Sequence, residues 1–167
     1  MPPIALVRVD DRLIHGQVVI KWLGHLHSEE VLIVDDKLQH DEFMQKVLQL
    51  AAPPGAQVEV LGVHGAAQRL TSAASSNGSV MVLVRSPETA LALLEHGVSF
   101  TELNVGGMAG GPGAVRLFKS VSATEPQMAA LLATCNRGVR VYYQMVPEER
   151  PIEVSHVLRA PHQHTPA

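Results

Sequence analysis

Ile4-Ala5-Leu6-Val7-Arg8-Val9, followed by Asp10-Asp11-Arg12-Leu13-Ile14-His15-Gly16-Gln17, is the stretch on which the fold of this chain turns. The first six residues are apolar apart from Arg8, with Ile4, Val7 and Val9 β-branched, and the run reads as a strand. From Gly16 to about His27 the pattern changes: Val18, Val19, Trp22, Leu23 and Leu26 recur at three- and four-residue spacing and give a helix one apolar face. A strand, a short polar loop and an amphipathic helix are the opening of a βαβ unit. Working outward, Val31-Leu32-Ile33-Val34 is a uniformly apolar strand of the kind buried on both sides of a parallel sheet. A helix over about 41–52 stops at Pro53-Pro54-Gly55. Further strands are expected over 57–63, 79–84, 101–105 and 139–146, with helices over 65–74, 87–96 and 125–136 between them. Strands separated by helices of this length imply right-handed crossovers, hence a single α/β domain with a mainly parallel, doubly wound sheet and helices on both faces.

Composition agrees with that class. The chain has 167 residues, enough for one core, and its hydrophobic share of 46% includes only three Phe, two Tyr and one Trp. Burial therefore rests on aliphatic side chains. Thirteen Lys and Arg against sixteen Asp and Glu leave a net charge of −3, without the basic excess of a nucleic-acid-binding protein, so no nucleic-acid partner is expected. One cysteine, Cys135, excludes an internal disulfide and a multi-cysteine zinc site and suits a cytoplasmic protein. No secretory signal is expected at Met1-Pro2-Pro3-Ile4, and no apolar run is long enough to span a bilayer.

Two loops stand out at the carboxyl ends of strands, where ligand chemistry collects in open α/β sheets: 9–16, and Gly106–Gly113 with five glycines in eight residues. In the first, His15 lies beside Arg12 and at a helix start, where free N–H groups and the positive helix pole favour an incoming phosphoryl group. An unperturbed imidazole keeps a large neutral fraction at neutral pH, so a ring nitrogen can attack phosphorus without a separate base. Arg12 can neutralise charge on the transferring oxygens, and Asp10 or Asp11 can accept from the second ring nitrogen and fix the tautomer. Gly16 and Gln17, at the helix start, complete the supporting set.

The stretch from Val7 to Val18, with Trp22, resembles the signature of the mannose/fructose/sorbose-family IIB component of the bacterial phosphoenolpyruvate-dependent sugar phosphotransferase system. Later blocks resemble that family in the same order: Val34-Asp35-Asp36, Asp41, Ala51-Ala52-Pro53-Pro54-Gly55, Leu103-Asn104-Val105-Gly106-Gly107-Met108 and Gln144-Met145-Val146-Pro147. The resemblance implies a family domain over 1–150, a C-terminal tail over 151–167, and a sheet of about seven strands with one antiparallel edge strand. It implies that His15 accepts a phosphoryl group, on Nδ1, from the phosphohistidine of a IIA component. It implies further that His15 passes the group to a sugar brought by the membrane components IIC and IID, with Arg12 assisting. The protein would then be a cytoplasmic phosphotransferase working at the inner face of the membrane, with no cofactor and no metal. A homodimer is left open. Two departures, His40 before Asp41 and the glycine-rich Ala109–Gly113 segment, bear on the sugar and the partner fit more than on the chemistry.

Two other functional classes share the same loop: a regulatory phosphohistidine module uncoupled from transport, and a small-molecule-binding domain in which His15 is inert. Elsewhere the residues read as packing. The glycine loop lacks the Lys-Ser/Thr ending of a P-loop and reads better as a border of the His15 site shaped by close backbone approach. His156, His162 and His164 have irregular tail spacing; His25, His27, His64 and His96 fall near helix ends. Cys135 sits in an apolar helical pattern, and Asp35-Asp36 reads as a turn with no need for a metal.

Overall fold

A computed structural model describes residues 3–72 and 78–159. Its first strand, β1 (Ile4–Asp10), leads into α1 (Gly16–Leu26) and β2 (Glu30–Val34). A 3-10 turn (Leu38–His40), α2 (Glu42–Ala51), β3 (Gln57–Leu61), α3 (Val63–Thr71), β4 (Val80–Val84), α4 (Pro87–Glu95) and β5 (Glu102–Gly107) follow. A small hairpin, β6 (Val115–Phe118) and β7 (Val121–Ala123), precedes α5 (Glu125–Asn136), β8 (Arg140–Tyr143), β9 (Ile152–Glu153) and α6 (Val154–Arg159). The described residues build a seven-stranded sheet in the order β3-β2-β4-β1-β5-β8-β9. Every pairing in it is parallel except β8 with β9 at the edge. The doubly wound α/β architecture with one antiparallel edge strand is thus the one expected.

Strand side chains alternate between two aliphatic layers. On one face Leu6, Ile33, Met81 and Leu83 pack with Val19, Trp22 and Leu23 of α1 and Leu48 of α2. On the other, Val7, Val9, Leu32, Val82, Val84, Leu103 and Val105 meet Ala66 and Leu70 of α3, Ala90 and Leu93 of α4, and Leu131 of α5. Local signals set the helix starts: Asp41 accepts from Met44 N at 3.0 Å, Ser86 caps α4 ahead of Pro87, and Thr124 with Gln127 forms a capping box on α5. Gly24 lies exposed inside α1, with no atom within 4 Å of the place a Cβ would take. Gly24→Ala is therefore expected to stabilise the fold by about 0.5–1 kcal/mol, measured as a higher urea midpoint, because it removes backbone freedom from the unfolded chain.

Four local readings are corrected. Gly106 and Gly107, read as loop, end strand β5 and are buried. The hairpin β6–β7 occupies a stretch without an expected element, and the strand read over 139–146 ends at Tyr143. Residues 152–159, placed by sequence in the tail, carry β9 against β8 and α6, whose Val154 is 1% exposed and joins the core. Ala73, Ala74 and tail residues from 160 on, His162 and His164 among them, lie outside the described residues.

Candidate functional site

The connection after β1 goes to α1 on one face of the sheet, and the connection after the adjacent β5 goes by way of the hairpin to α5 on the other. The crevice between the carboxyl ends of β1 and β5 is therefore a topological switch point of the sheet. His15, Arg12 and Asp10 meet there.

The loop is shaped by burial of its apolar members. Leu13 has φ +55°, a left-handed conformation costly for a branched residue, yet it is 2% exposed, and Ile14 beside it is 6% exposed. Burying two such side chains contributes about 1.5–3 kcal/mol each, which outweighs a backbone strain of about 1–3 kcal/mol. With Leu13 N donating to Asp10 O at 3.0 Å, the turn closes and throws Arg12 and His15 outward. His15 then takes the N-cap position of α1 in extended conformation without capping it by its side chain, and Gly16 follows with φ +46°. The first-turn N–H groups and the positive pole of α1 thus adjoin the imidazole.

Asp10 organises the site. Its side chain is 1% exposed and accepts five hydrogen bonds. Arg12 supplies three, from its backbone N at 3.2 Å, from Nε to Oδ1 at 3.0 Å and from Nη2 to Oδ2 at 3.1 Å. Arg8 Nη2 donates to Oδ2 at 3.0 Å, and His15 Nε2 lies 3.1 Å from the same oxygen. Burial pushes the Asp10 carboxyl up, but the Arg12 hydrogen bond, the Arg8 charge and the His15 hydrogen bond together outweigh it and hold it below the usual carboxylate range. A carboxylate can only accept, so the His15 proton resides on Nε2. Nδ1 is left with its lone pair on a ring that is 24% exposed. The bond to Asp10 raises the Arg12 guanidinium above its ordinary value, and its side chain, 45% exposed, keeps an open edge for an incoming anion.

Asp11 does not share His15; its Oδ2 accepts from Ala109 N at 2.7 Å and its N donates to Gly107 O at 3.1 Å, tying the loop to the end of β5. Gln17 lies exposed on the first turn of α1. The two strand glycines make room: a Cβ on Gly107 would sit 2.7 Å from Arg12 Nη2, and one on Gly106 would overlap the Arg8 guanidinium.

Sequence reasoning assigned no role to Arg8. It is 0% exposed in the middle of β1, and its parallel partner across the ladder is Asn104. Nη1 donates to Asn104 Oδ1 and to Gln144 O, the latter at 3.0 Å. Trp22 covers the guanidinium, its ring centroid 5.6 Å from Cζ, and donates from Nε1 to Met145 O at 3.0 Å. Burial lowers the Arg8 pKa from its usual value while Asp10 acts against the shift. A charged residue inside an apolar run, Ile4 to Val9, with Asn and Gly two residues apart on the neighbouring strand, was the signal available.

Among the described residues no group of three or more His, Cys, Asp or Glu could hold a metal ion. A cleft of about 700 Å³ lined by residues such as Ile20, His27, Glu30, Pro54 and Gln57 opens at the amino ends of the strands, remote from His15. His15 and Arg12 lie instead on the rim at the carboxyl ends, with side chains 24% and 45% exposed.

That site geometry can be set beside known proteins. The model of the PTS system sorbose subfamily IIB component matches residues 4–166. The chain belongs to this family. The IIB component is 32% identical over 151 residues to the sorbose-specific EIIB component of Klebsiella pneumoniae, covering 90% of this chain and 92% of that one. Its structure superposes on the IIBSor domain of the sorbose permease from the same organism with TM-score 0.90 and 30% identity, over 97% and 99% of the two chains. It is also similar to manxB from Thermoanaerobacter tengcongensis, with TM-score 0.89 and 35% identity over 96% and 97%. The match of the family model runs through β9 and α6. As a IIB component the protein is part of a sugar phosphotransferase system, and among its described residues no helix is long and apolar enough to cross a membrane.

Proposed function

We propose that this IIB component carries a phosphoryl group on His15 Nδ1, taking it from the phosphohistidine of a IIA component and giving it to a sugar hydroxyl. The observation that carries the reading is the Asp10 Oδ2 to His15 Nε2 hydrogen bond of 3.1 Å, which leaves Nδ1 as the free nucleophile beside Arg12 and the start of α1. In the first transfer the Nδ1 lone pair forms the new P–N bond as the donor imidazole's P–N bond breaks and its electron pair returns to the donor ring. No proton needs to leave His15. Positive charge developing on the attacking ring is met by the Asp10 carboxylate, and charge on the phosphoryl oxygens by Arg12 and the first-turn N–H groups of α1. In the second transfer the sugar hydroxyl attacks phosphorus, Nδ1 recovers its lone pair, and the hydroxyl proton passes to a base on the sugar-binding side.

An exposed histidine on a rim suits two protein partners in turn, the IIA donor and then the membrane components IIC and IID that bring the sugar. The protein accordingly works in the cytoplasm at the inner face of the membrane.

The test begins with IIA phosphorylated from phosphoenolpyruvate and asks for alkali-stable, acid-labile label on this protein. Wild type is expected to take up one phosphoryl group, and to lose it on membranes carrying IIC and IID only when sugar is added. His15→Ala should take up none. Equal labelling of His15→Ala, or discharge that ignores sugar, would overturn the proposal.

A further inference from the structure

We infer that Arg8 is a positioning residue for phosphotransfer, acting through Asp10: held by Asn104 of β5 and by the Gln144 carbonyl just past β8, it fixes the carboxylate that holds the His15 ring with Nδ1 outward. The inference deepens the proposed role of His15 and rests on it.

Arg8 never reaches the surface, so it cannot touch a phosphoryl donor or a sugar. Everything it touches fixes its position. Nη1 is shared between Asn104 Oδ1 and Gln144 O, and Asn104 Nδ2 donates to the same Gln144 carbonyl at 3.1 Å, so β5, beside β1, and the residue that follows β8, one strand further out, grip one end of the guanidinium. Nη2 projects from that grip to Asp10 Oδ2, the oxygen that also meets His15. Trp22 and Met145 close the top, with Met145 Sδ 3.8 Å from Arg8 Nη2 and 3.6 Å from Arg12 Nη2. Arg8 Nε has no hydrogen-bond partner among the described residues despite its burial. The side chain is thus oriented to serve its terminal nitrogens at the expense of Nε. An ion pair buried in a sheet is often no more stable than an apolar replacement of the same volume, so stability alone is a weak reason for this charge.

Asp10 explains the use of the pair. It accepts from Arg12 on a flexible, half-exposed side chain and from His15 on a loop. Of its charged partners only Arg8 is built into the sheet. Without Arg8 the carboxylate follows Arg12 and solvent, and the imidazole loses its fixed acceptor. A positioning residue should therefore change the rate of transfer and the Nε2–H bond while leaving partner binding alone.

The variants are Arg8→Met, Arg8→Lys and Asn104→Ala, each checked for folding by circular dichroism and thermal melting. With phosphorylated IIA as donor, Arg8→Met is expected to lower the maximal rate of His15 phosphorylation at least tenfold, with the half-saturating donor concentration unchanged. Arg8→Lys, which keeps a cation under Asp10, should recover part of that rate. In ¹⁵N-edited imidazole spectra the protected Nε2–H proton of His15 should be present in wild type and lost to solvent exchange in Arg8→Met. A folded Arg8→Met protein with a rate within twofold of wild type and an unchanged Nε2–H signal overturns the inference. Should Arg8→Met fail to fold, Asn104→Ala decides: a weakened Nε2–H signal with a slower rate supports it, and wild-type values of both refute it. If wild type itself takes no phosphoryl group, the proposed function fails, and the Nε2–H signal still shows whether Arg8 holds the Asp10–His15 contact.

Discussion

Asp10→Asn is expected to lower folding stability by about 3–5 kcal/mol at neutral pH, the usual cost of leaving a buried charge without its partner, here Arg8. Every group that faces Asp10 is a donor, so an amide fits badly whichever way it turns. One of its ends accepts as before, while the other presents hydrogens to hydrogens. The pH dependence carries the signature of the carboxylate. The folded-state pKa of Asp10 lies below the unfolded value, near 3.9, so the unfolded chain binds more protons across that interval. Its contribution is fully present above the unfolded value and is lost as pH falls through the folded one. Urea midpoints measured from pH 7 downward should therefore drop for wild type below about pH 4, and the Asp10→Asn curve should approach it there. A constant gap down to pH 2 would show that charge is not the cause. The same substitution should slow His15 phosphorylation by about 10²-fold or more, because the Nε2 proton and the ring orientation are no longer fixed by an anion.

Gly106→Ala should be nearly as damaging, for a different reason. The new methyl would overlap the Arg8 guanidinium, which has Asn104, Gln144 and Asp10 on its other sides and no room to retreat. Overpacking of this kind costs about 1–3 kcal/mol, and displacing a buried cation from its acceptors adds about 1–3 kcal/mol more. The sum corresponds to a fall in melting temperature of roughly 10 °C for a chain of this size. Calorimetry reads it directly, and a melting temperature within 2 °C of wild type would show that Arg8 is not held as described. Gly24→Ala, on the open face of α1, is the internal control, since it adds the same methyl where nothing is displaced.

Much of the layout was legible from periodicity. Val31–Val34 and Val80–Val84 are continuous apolar runs, and their burial on both faces of the sheet follows from that pattern. The hairpin β6–β7 was hidden because Val115 and Arg116 are exposed and Lys119-Ser120 interrupts the run, so neither period emerges over so few residues. Gly106 and Gly107 misled for a physical reason. Glycine ordinarily weakens a strand, but here the absence of Cβ admits two guanidinium groups, a demand made by side chains from β1 and its loop.

The difference in reach separates His15 from Arg8. His15, Arg12 and Asp10 lie within six consecutive residues between a strand and a helix, so their meeting at a helix start could be read along the chain. Which carboxylate serves the imidazole could not, because Asp10 and Asp11 are equal in sequence until β1 buries the first and Ala109 engages the second. Arg8 meets Asn104 across 96 positions and Gln144 across 136, contacts that exist only once β1, β5 and β8 align in parallel register. Apolar period and capping residues act over a few neighbours and are written in the chain itself. Which polar groups leave water together depends on where the whole sheet brings them, and that desolvation is what ties Arg8, Asp10 and His15 into one unit.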